Sequence, residues 1–496
     1  MEYLLDDRKE NSKYVIWSFI LIDVISLLVL LNLSWQWNIL LLLTLLGLIA
    51  FTLLQPRMNI PVFFMLLIIY TAPLERWNWK IWFTLRPIIV ISLLCFCLIL
   101  LRHSLVKLVL DRKTRQVLIL FFVLTMIFVA SSLNALDYIK SFRVTVLNVT
   151  LFILFFVVVH LTKNIKDLRK YLSHWMIIGF LLSLFGLSQM IGVLYGLDLD
   201  ALLFSKFKLI PYGRTDFNII RLVGFRIYSL FQDSNNFAAF LNTVFPFFLA
   251  SAIYFRYLRK LKISLFFLIG SVIVGSCLIL TLSRSSWVGL FFGMTVISWD
   301  KRKQIFNAKN IKYFGLFLII LILLISPFLK YLTHSFTARL AVDESTKIHR
   351  FVAETAISMF WKYPILGVGI GNWGEYYARY YKAGHENWNA HSAYLHILSE
   401  VGIIGFTIYA ILAYLVLKQI LYFKANTNGY NSEVLGSGLL AGFIALLGAN
   451  IFYQNFTFQF FIVFLALAFA SGNIIQRLEK GTNKVNYGSI SSHSQL

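Results

Sequence analysis

Apolar runs of about the length of a membrane-spanning helix recur along the whole chain and alternate with polar connections. A helix needs roughly 20 mostly apolar residues to cross a bilayer. The runs therefore predict an all-α membrane bundle of about 14 transmembrane helices, within a range of about 12–14. The predicted helices lie near 14–34, 37–54, 59–73, 84–101, 116–132, 144–161, 172–194, 236–255, 262–282, 285–299, 312–329, 392–417, 434–452 and 457–475.

The composition supports a membrane protein. Hydrophobic residues make up 59% of the 496-residue chain and charged residues only 14%, whereas an average soluble protein has about 25% charged residues. A soluble domain could not bury this much apolar surface. The three cysteines, Cys95, Cys97 and Cys277, lie inside apolar runs, which predicts neither a disulfide framework nor a metal cluster.

Lysine and arginine residues set the predicted orientation. They gather in every second connection, near 8–13, 102–115, 163–170, 256–262, 301–312 and 477–484. Cytoplasmic connections carry such an excess, so both termini are predicted to be cytoplasmic tails, at 1–13 and 479–496, around a transmembrane domain at 14–478. The formal net charge of +23 is then largely topological, and nucleic acid is not expected as a partner.

Two connections on the predicted outer side are long, at 196–235 and 330–391. Long loops on one side of a membrane bundle are where a binding or catalytic site is expected. Within the second loop, apolar residues recur with helical spacing from Ser345 to about Lys362. This spacing predicts an amphipathic helix that lies on the membrane or caps a cavity.

Arginines stand out in these outer segments, because the positive-inside bias disfavours them there. The five candidates are Arg221 and Arg226 in the first long loop, Arg284 in the short turn at 281–289, and Arg339 and Arg350 near the amphipathic helix. A guanidinium group is a forked donor that matches phosphate oxygens. The arginines of the first long loop would suit a diphosphate at headgroup depth, and the alternative is pairing with acidic residues or lipid phosphates. Arg284 either reaches lipid phosphate or points into a cavity shared with the long loops.

Two further segments combine glycine or ionisable residues with apolar ones. GVGIGN at 367–372 lacks the GK[ST] ending of a nucleotide-binding loop and is predicted to form tight turns. HSAYLHILSEVGIIG at 391–405 places His391 at the mouth of an apolar helix. His391 is either a helix end in the interfacial zone or a catalytic group that faces one side of the membrane.

Four short elements between about 215 and 410 occur in a characteristic order. They are RIYSLFQDSNNFA (226–238), TLSRSSWVG (281–289), PILGVGIGNW (364–373) and the pair His391-Ser392, followed after nine residues by Gly402-Ile403-Ile404-Gly405. Together they resemble the O-antigen ligase and O-antigen polymerase superfamily of bacterial envelope glycosyltransferases. The first element departs from the family pattern, with Ser234 where proline is usual.

The resemblance implies an enzyme that takes a glycan from an undecaprenyl diphosphate carrier on the outer face and joins it to an acceptor hydroxyl. It implies that His391 is the general base, with His385 as the competing base, and that arginines bind the diphosphate. The sequence shows no acidic metal cluster, so the arginines are expected to take the place of a metal, and no cofactor is expected. The other candidates for substrate binding or support are Asn235, Asn372, Glu400, Gly402 and Gly405, and the role of Glu400 is open.

The favoured function is polymerase of a surface polysaccharide such as capsule, exopolysaccharide, teichuronic acid or O-antigen. A ligase that transfers a finished glycan to a lipid or other surface acceptor is the alternative. A transporter, which tends to show repeated halves or broken helices with polar groups at mid-membrane, and a scaffold are alternatives of other classes. The predicted partners are the carrier-linked glycan, the acceptor glycan, membrane lipid, a flippase and a chain-length regulator, at the cytoplasmic membrane.

Overall fold

The computed structural model describes residues 60–75, 79–80, 84–103, 111–199, 226–305, 344–381, 389–454 and 456–491, with single positions between 306 and 343. In this part of the chain the strands are a short hairpin, in which β1 (Trp79–Lys80) pairs antiparallel with β2 (Thr84–Leu85). The α-helices are α1 (Ile60–Thr71), α2 (Pro87–His103), α3 (Arg112–Ser131), α4 (Tyr138–Leu161), α5 (Ile165–Leu194), α6 (Ser234–Tyr257), α7 (Leu261–Leu280), α8 (Arg284–Asp300), α9 (Arg302–Ile305), α10 (Glu344–Lys362), α11 (Trp373–Tyr380), α12 (Ala393–Ala425), α13 (Ser437–Ala449) and α14 (Gln459–Ser491). A π-helix, Asn431–Gly436, leads into α13.

Among the described residues, 8 helical stretches are long and apolar enough to cross a membrane. They are Arg112–Asn134, Tyr138–Leu161, Ile165–Leu194, Ser234–Tyr257, Leu261–Leu280, Ala393–Ala425, Asn431–Ala449 and Gln459–Glu479, and each coincides with a predicted run. The runs near 59–73, 84–101 and 285–299 form the shorter helices α1, α2 and α8. The runs near 14–34, 37–54 and 312–329 lie wholly or largely outside the described residues. The helical membrane bundle is confirmed, and the count of about 14 stays a prediction.

The chain divides into two compact units. One consists of Met1–Met65 and Leu93–Val109, and the other of Leu66–Ser92 and Leu110–Leu496. In the first unit the described residues belong to helices α1 and α2. The candidate site described below lies in the second unit.

Helix α6 is the most buried of the candidate spans, with 89% of its apolar window inside the protein. It packs against α7 and α13, and α13 packs in turn against α8. The approach of α8 to α13 depends on a small residue, because a Cβ at Gly289 would come closer than 3.0 Å to the Ala445 carbonyl oxygen. Such small residues are typical of helix contacts in membranes, where close backbone packing replaces the hydrophobic driving force.

The segment predicted as an amphipathic helix forms helix α10, which begins at Glu344 and ends at Lys362; its place in an outer loop stays a prediction. Val352, Ala356 and Met359, on its predicted apolar face, are buried in one cluster with Trp373. The apolar face of α10 therefore packs against other residues of the predicted outer segments, which fixes the helix relative to the glycine-rich turn that follows it.

Polar contacts join the predicted outer connections to one another and the predicted inner connections to one another. The outer contacts include Asn134 with Gly367, Glu75 with Asn236 and Arg226 with Thr281. The inner contacts include Asp111 with Arg477, Asp300 with Lys424 and Lys301 with Glu433. This grouping is what an alternating membrane topology requires, since every second connection must lie at the same end of the bundle.

Candidate active site

The backbone around His391 is held from several sides. His391 has a φ of 50°, in the left-handed region that residues with a side chain seldom adopt. Its N–H donates to Oδ1 of Asn389 at 2.9 Å, and the N–H of Ala393 donates to the carbonyl oxygen of Asn450 at 3.0 Å. Ser392 caps the first turn of α12. The position of the imidazole is therefore set by the fold.

The His391 ring is in contact with His349, a residue of α10, and the two ring centroids are 4.5 Å apart. Burial lowers the pKa of His391 to about 4; His349 adds to this shift, Asp233 opposes it and His396 adds to it. The imidazole of His391 is therefore neutral at pH 7. A neutral imidazole with an accessible nitrogen is the form that accepts a proton.

Arg226 connects the first long loop to the turn that precedes α8. Its guanidinium donates to the Thr281 carbonyl oxygen at 2.8 Å and to Asn235 Oδ1 at 2.6 Å. The backbone N–H of Asn235 donates to Asp233, the cap of α6, at 2.5 Å. Asn235 thus supports an arginine and lies where the sequence predicted a substrate-binding or supporting residue.

Arg284 is the first residue of α8, where the Ser283 side chain caps the helix. Burial lowers the pKa of His349, and the positive charge of Arg284 lowers it further. Arg284 therefore lies close to His349, and His349 in turn contacts His391. We refer to His391, His349, Arg284, Arg226 and Asp233 as the His391 group.

The glycine-rich segment forms the tight turns that its sequence predicts. Gly367, Gly369 and Gly371 have φ values of 70°, 103° and 75°. A side chain at Gly367 would collide with the backbone of Glu400, and one at Gly369 with Ala135. Only glycine allows this conformation and this close approach, so the turn fits directly between α12 and the connection that precedes α4.

Glu400 is a structural partner of this turn. Its carboxylate accepts the backbone N–H of Gly371 at 2.9 Å and that of Trp373 at 3.0 Å. His396 lies 3.4 Å away, one helical turn earlier. A buried carboxylate that accepts backbone N–H groups holds those groups in place. In the structure, Glu400 therefore fixes the glycine-rich turn on α12.

The G-x-x-G pair is explained by packing. Gly402 has a φ of 65° and breaks the regular helix inside α12. The N–H of the next residue, Ile403, donates instead to the Pro364 carbonyl oxygen at 2.9 Å. A Cβ at Gly402 would come closer than 3.0 Å to the Ile365 carbonyl, and a Cβ at Gly405 would come equally close to the Val401 side chain.

Asn372 is fully buried and its side chain bonds to the start of α4. Its Oδ1 accepts the N–H of Asp137 at 2.7 Å, and its Nδ2 donates to Ser141 Oγ at 2.8 Å. These contacts anchor the glycine-rich turn on a second helix. In the structure, Asn372 therefore supports the candidate site by holding the glycine-rich turn against α4.

Of the remaining predicted residues, Arg350 is described by the structure and is not part of the His391 group. The Arg350 side chain is 83% exposed and pairs with Glu354, four residues later, at 2.8 Å. Arg221, Arg339 and His385 lie outside the described residues, so their predicted roles stay predictions. Among the described residues, no three His, Cys, Asp or Glu side chains come together as a set of metal ligands, and metal independence also stays a prediction.

The sequence reasoning missed His349, although a signal for it existed. His349 precedes Val352 by three residues and Ala356 by seven, so it shares the apolar face of the amphipathic helix. A histidine on that face had to turn towards the covered side of the helix, which is where His391 lies.

A second polar contact near α6 was also missed. Glu75, in the predicted outer turn after α1, accepts a hydrogen bond from Asn236 Nδ2 at 2.9 Å. Burial raises the pKa of Glu75 to about 7, and the positive charge of Arg86 opposes this shift. Tyr453, in the last predicted outer connection, bonds to Asn235 and lies near Asp233. Neither residue belongs to a motif, and only the packing of distant connections reveals them.

A known protein family matches the part of the chain that contains His391. Residues 269–410 match the O-antigen ligase family. The match confirms the resemblance to the O-antigen ligase and O-antigen polymerase superfamily, and it covers three of the four motifs, since the element at 226–238 lies outside it. No curated protein matches the chain.

The O-antigen ligase match covers Arg284, helix α10, the glycine-rich turn, His391 and the G-x-x-G pair. Arg226, Asn235 and Tyr453 lie outside it. Arg226 donates to Thr281 of the matched segment, Asn235 bonds to Arg226, and Tyr453 bonds to Asn235. The O-antigen ligase family implies a membrane glycosyltransferase or ligase in polysaccharide synthesis, with a lipid-linked glycan and membrane lipid as partners. The apolar helices are consistent with that assignment, because they make the chain a multi-pass membrane protein.

Proposed function

We propose that this protein is a polymerase of a cell-surface polysaccharide. It transfers glycan from an undecaprenyl diphosphate carrier to a sugar hydroxyl of an acceptor glycan, on the outer face of the cytoplasmic membrane. His391 is the general base, and Arg226 and Arg284 act on the diphosphate. Both termini face the cytoplasm, and a flippase supplies the donor while a chain-length regulator limits the product.

The chemistry needs a base and positive charge, and no redox step. The acceptor hydroxyl oxygen attacks the anomeric carbon, and its proton passes to the neutral His391 ring. The bond between that carbon and the diphosphate oxygen breaks, and the diphosphate leaves with the electron pair. Arg226 and Arg284 stabilise the negative charge that develops on the leaving group.

The observation that carries the proposal is the assembly of the His391 group from separate segments. His391 precedes α12, Arg284 begins α8, and Arg226 precedes α6. A buried neutral imidazole and two guanidinium groups in one outer region fit a reaction that removes a proton and expels an anion. A mere helix end at the membrane surface would not need the ring contact of His391 with His349 or the fixed backbone around it.

The observations favour an enzyme over a transporter, because the O-antigen ligase match describes a transferase. Polymerase and ligase share the donor chemistry and differ in the acceptor. A polymerase uses a second carrier-linked glycan, whereas a ligase uses a different lipid or surface acceptor. The match to the O-antigen ligase family keeps the ligase as the second candidate.

The test uses purified protein in lipid nanodiscs and the undecaprenyl diphosphate-linked glycan extracted from the source cells, without another acceptor. The products are separated by length on a gel. His391→Ala is the test variant. His160→Ala, at the end of α4 where the predicted inner connections meet, is the matched control for the loss of an imidazole.

We expect the wild type and His160→Ala to give a ladder of longer carrier-linked glycans, and His391→Ala to give none. A product that forms only after a lipid A core or another surface acceptor is added would identify a ligase. A ladder of equal yield from His391→Ala would remove His391 from the mechanism.

A further inference from the structure

His349 is in ring contact with His391 although the two residues belong to different elements. The ring centroids are 4.5 Å apart and the ring planes are inclined at 60°. Aromatic rings at this separation restrict one another by direct contact. The orientation of the His391 ring therefore depends on where α10 places His349.

One hydrophobic cluster positions both imidazoles. His349, Val352 and Ala356 share one face of α10. The latter two are buried in the same cluster as Ala390, which immediately precedes His391. The contact between the two histidines is thus held in place by the packing of this cluster.

The charged and titratable groups around the pair come from three further elements. Arg284 of α8 acts on His349, while Asp233 at the head of α6 and His396 of α12 act on His391. Both histidines are neutral at pH 7, because burial and like charges lower the pKa of each. A proton on one ring of the pair disfavours a proton on the other, because two protons would place like charges side by side.

We propose that His349 is a positioning residue for the general base, which orients the His391 ring and keeps it neutral until the acceptor hydroxyl gives up its proton. The inference rests on the proposed function, in which His391 is that base. In this proposal His349 acts through His391 and takes no part in bond making or breaking. Its influence should therefore appear in the pH dependence of the reaction as well as in the rate.

The test compares His349→Gln and His349→Glu with the wild type by measuring kcat/KM against pH with the carrier-linked glycan. Glutamine removes the competing proton site, so the acid limb should move to higher pH by about one unit, the usual spread of histidine pKa values in proteins. Glutamate should move it further, since a carboxylate favours the imidazolium form of His391. The plateau rate of both variants should fall by about 10- to 100-fold, because the ring loses its fixed orientation.

Glu354→Gln is the matched control, because Glu354 lies on the same helix with a side chain that is 58% exposed. Its pH profile should equal that of the wild type. A second measurement avoids turnover: diethyl pyrocarbonate modifies neutral imidazole, and mass spectrometry of the labelled His391 peptide against pH reports the titration of that residue in the folded protein. Its midpoint should shift in the same direction in both His349 variants.

A lower plateau with an unshifted acid limb and an unshifted labelling midpoint would show that His349 is only part of the packing, and would overturn the inference. That result differs from a failure of the proposed function. The proposed function fails when His391→Ala retains activity, whereas an inactive His391→Ala together with wild-type pH profiles for the His349 variants overturns this inference alone.

Discussion

At the residue scale, the signature segment at 391–405 combines one proposed base with residues that build its support. His391 presents a neutral ring beside His349. Glu400 accepts hydrogen bonds from two backbone N–H groups of the glycine-rich turn. Gly402 allows the kink in α12 where the segment before the turn packs against this helix. The spacing of the signature therefore reflects the distance along the chain between His391 and the packing contact at Gly402.

The proton affinity of His391 gives a prediction for the pH dependence of the wild type. Burial and His349 lower its pKa to about 4, so the neutral base is present above that pH and is lost as the pH falls through it. We expect kcat/KM, which reports the free enzyme, to stay level from about pH 7 to about pH 5 and to decline below. The acid limb of kcat should lie at higher pH, because the bound diphosphate adds negative charge and raises the pKa of a nearby imidazole.

Initial rates over this pH range, at low and at saturating glycan concentration, separate the two limbs. An acid limb of kcat/KM near 6.5, the ordinary value for histidine, would contradict the buried environment that the structure gives to His391.

At the element scale, α10, the glycine-rich turn and the kinked helix α12 act as one assembly. Helix α10 ends at Lys362 and the turn follows at once. The Pro364 carbonyl oxygen replaces the helical partner of Ile403 in α12. The segment between α10 and the turn is thus hydrogen-bonded to α12, the helix that His391 precedes.

The kink gives a stability prediction for Gly402→Ala. The new methyl group would collide with the Ile365 carbonyl, and the left-handed backbone would be strained. We expect the free energy of unfolding to fall by about 2–4 kcal/mol, the combined size of overpacking and a left-handed alanine. Thermal unfolding of the purified protein, followed by tryptophan fluorescence, measures the loss.

Gly196→Ala is the matched control for that experiment. Gly196 also has a positive φ, of 73°, but no atom lies within 4 Å of an added Cβ. It should therefore show the backbone strain without the collision and lose only about 1–2 kcal/mol. Equal losses in the two variants would mean that the contact of the turn with α12 does not stabilise the fold.

At the scale of the whole molecule, the two ends of the bundle differ in how they use charge. At the predicted inner end, the fully buried Lys301 pairs with Glu433 and Asp300, and Asp300 also pairs with Lys424 at 2.6 Å. These pairs connect the ends of helices and neutralise one another. At the predicted outer end, Arg284 lies close to the neutral His349 and Arg226 bonds to Thr281 in the turn that carries Arg284, an arrangement that suits an incoming anion.

The predicted topology can be tested by labelling cysteines in intact cells. Among the described cysteines, Cys97 is exposed and the others are buried, so a Cys97→Ser background lowers unwanted labelling. We expect a membrane-impermeant maleimide to label Glu354→Cys, on the exposed side of α10, in intact cells. Lys303→Cys, at the inner end next to the buried Lys301, should react only after the membrane is permeabilised.

Labelling of both positions, or of Lys303→Cys alone, in intact cells would contradict the orientation taken from the positive residues. Because the proposed donor carrier is used on the outer face, that result would also move the His391 group to the wrong side of the membrane for the proposed function.

The sequence by itself determined the helices and the location of the site along the chain. Apolar runs of spanning length, and the apolar face of the segment 345–362, are local patterns, so they specify helices α3 to α7 and α10 without knowledge of their neighbours. The glycines of the turn and of the signature were also visible locally, because their backbone conformations exclude other residues.

Only the tertiary structure decided which polar side chains meet. The contact of His391 with His349, the bonds of Glu400 to the glycine-rich turn and the bond of Arg226 to Thr281 join residues that are far apart along the chain. The same packing leaves Arg350 exposed beside Glu354. Hydrophobic periodicity fixes the face that a helix buries, but it does not specify which other helix covers that face. The residues that form the candidate site depend on which helices pack together.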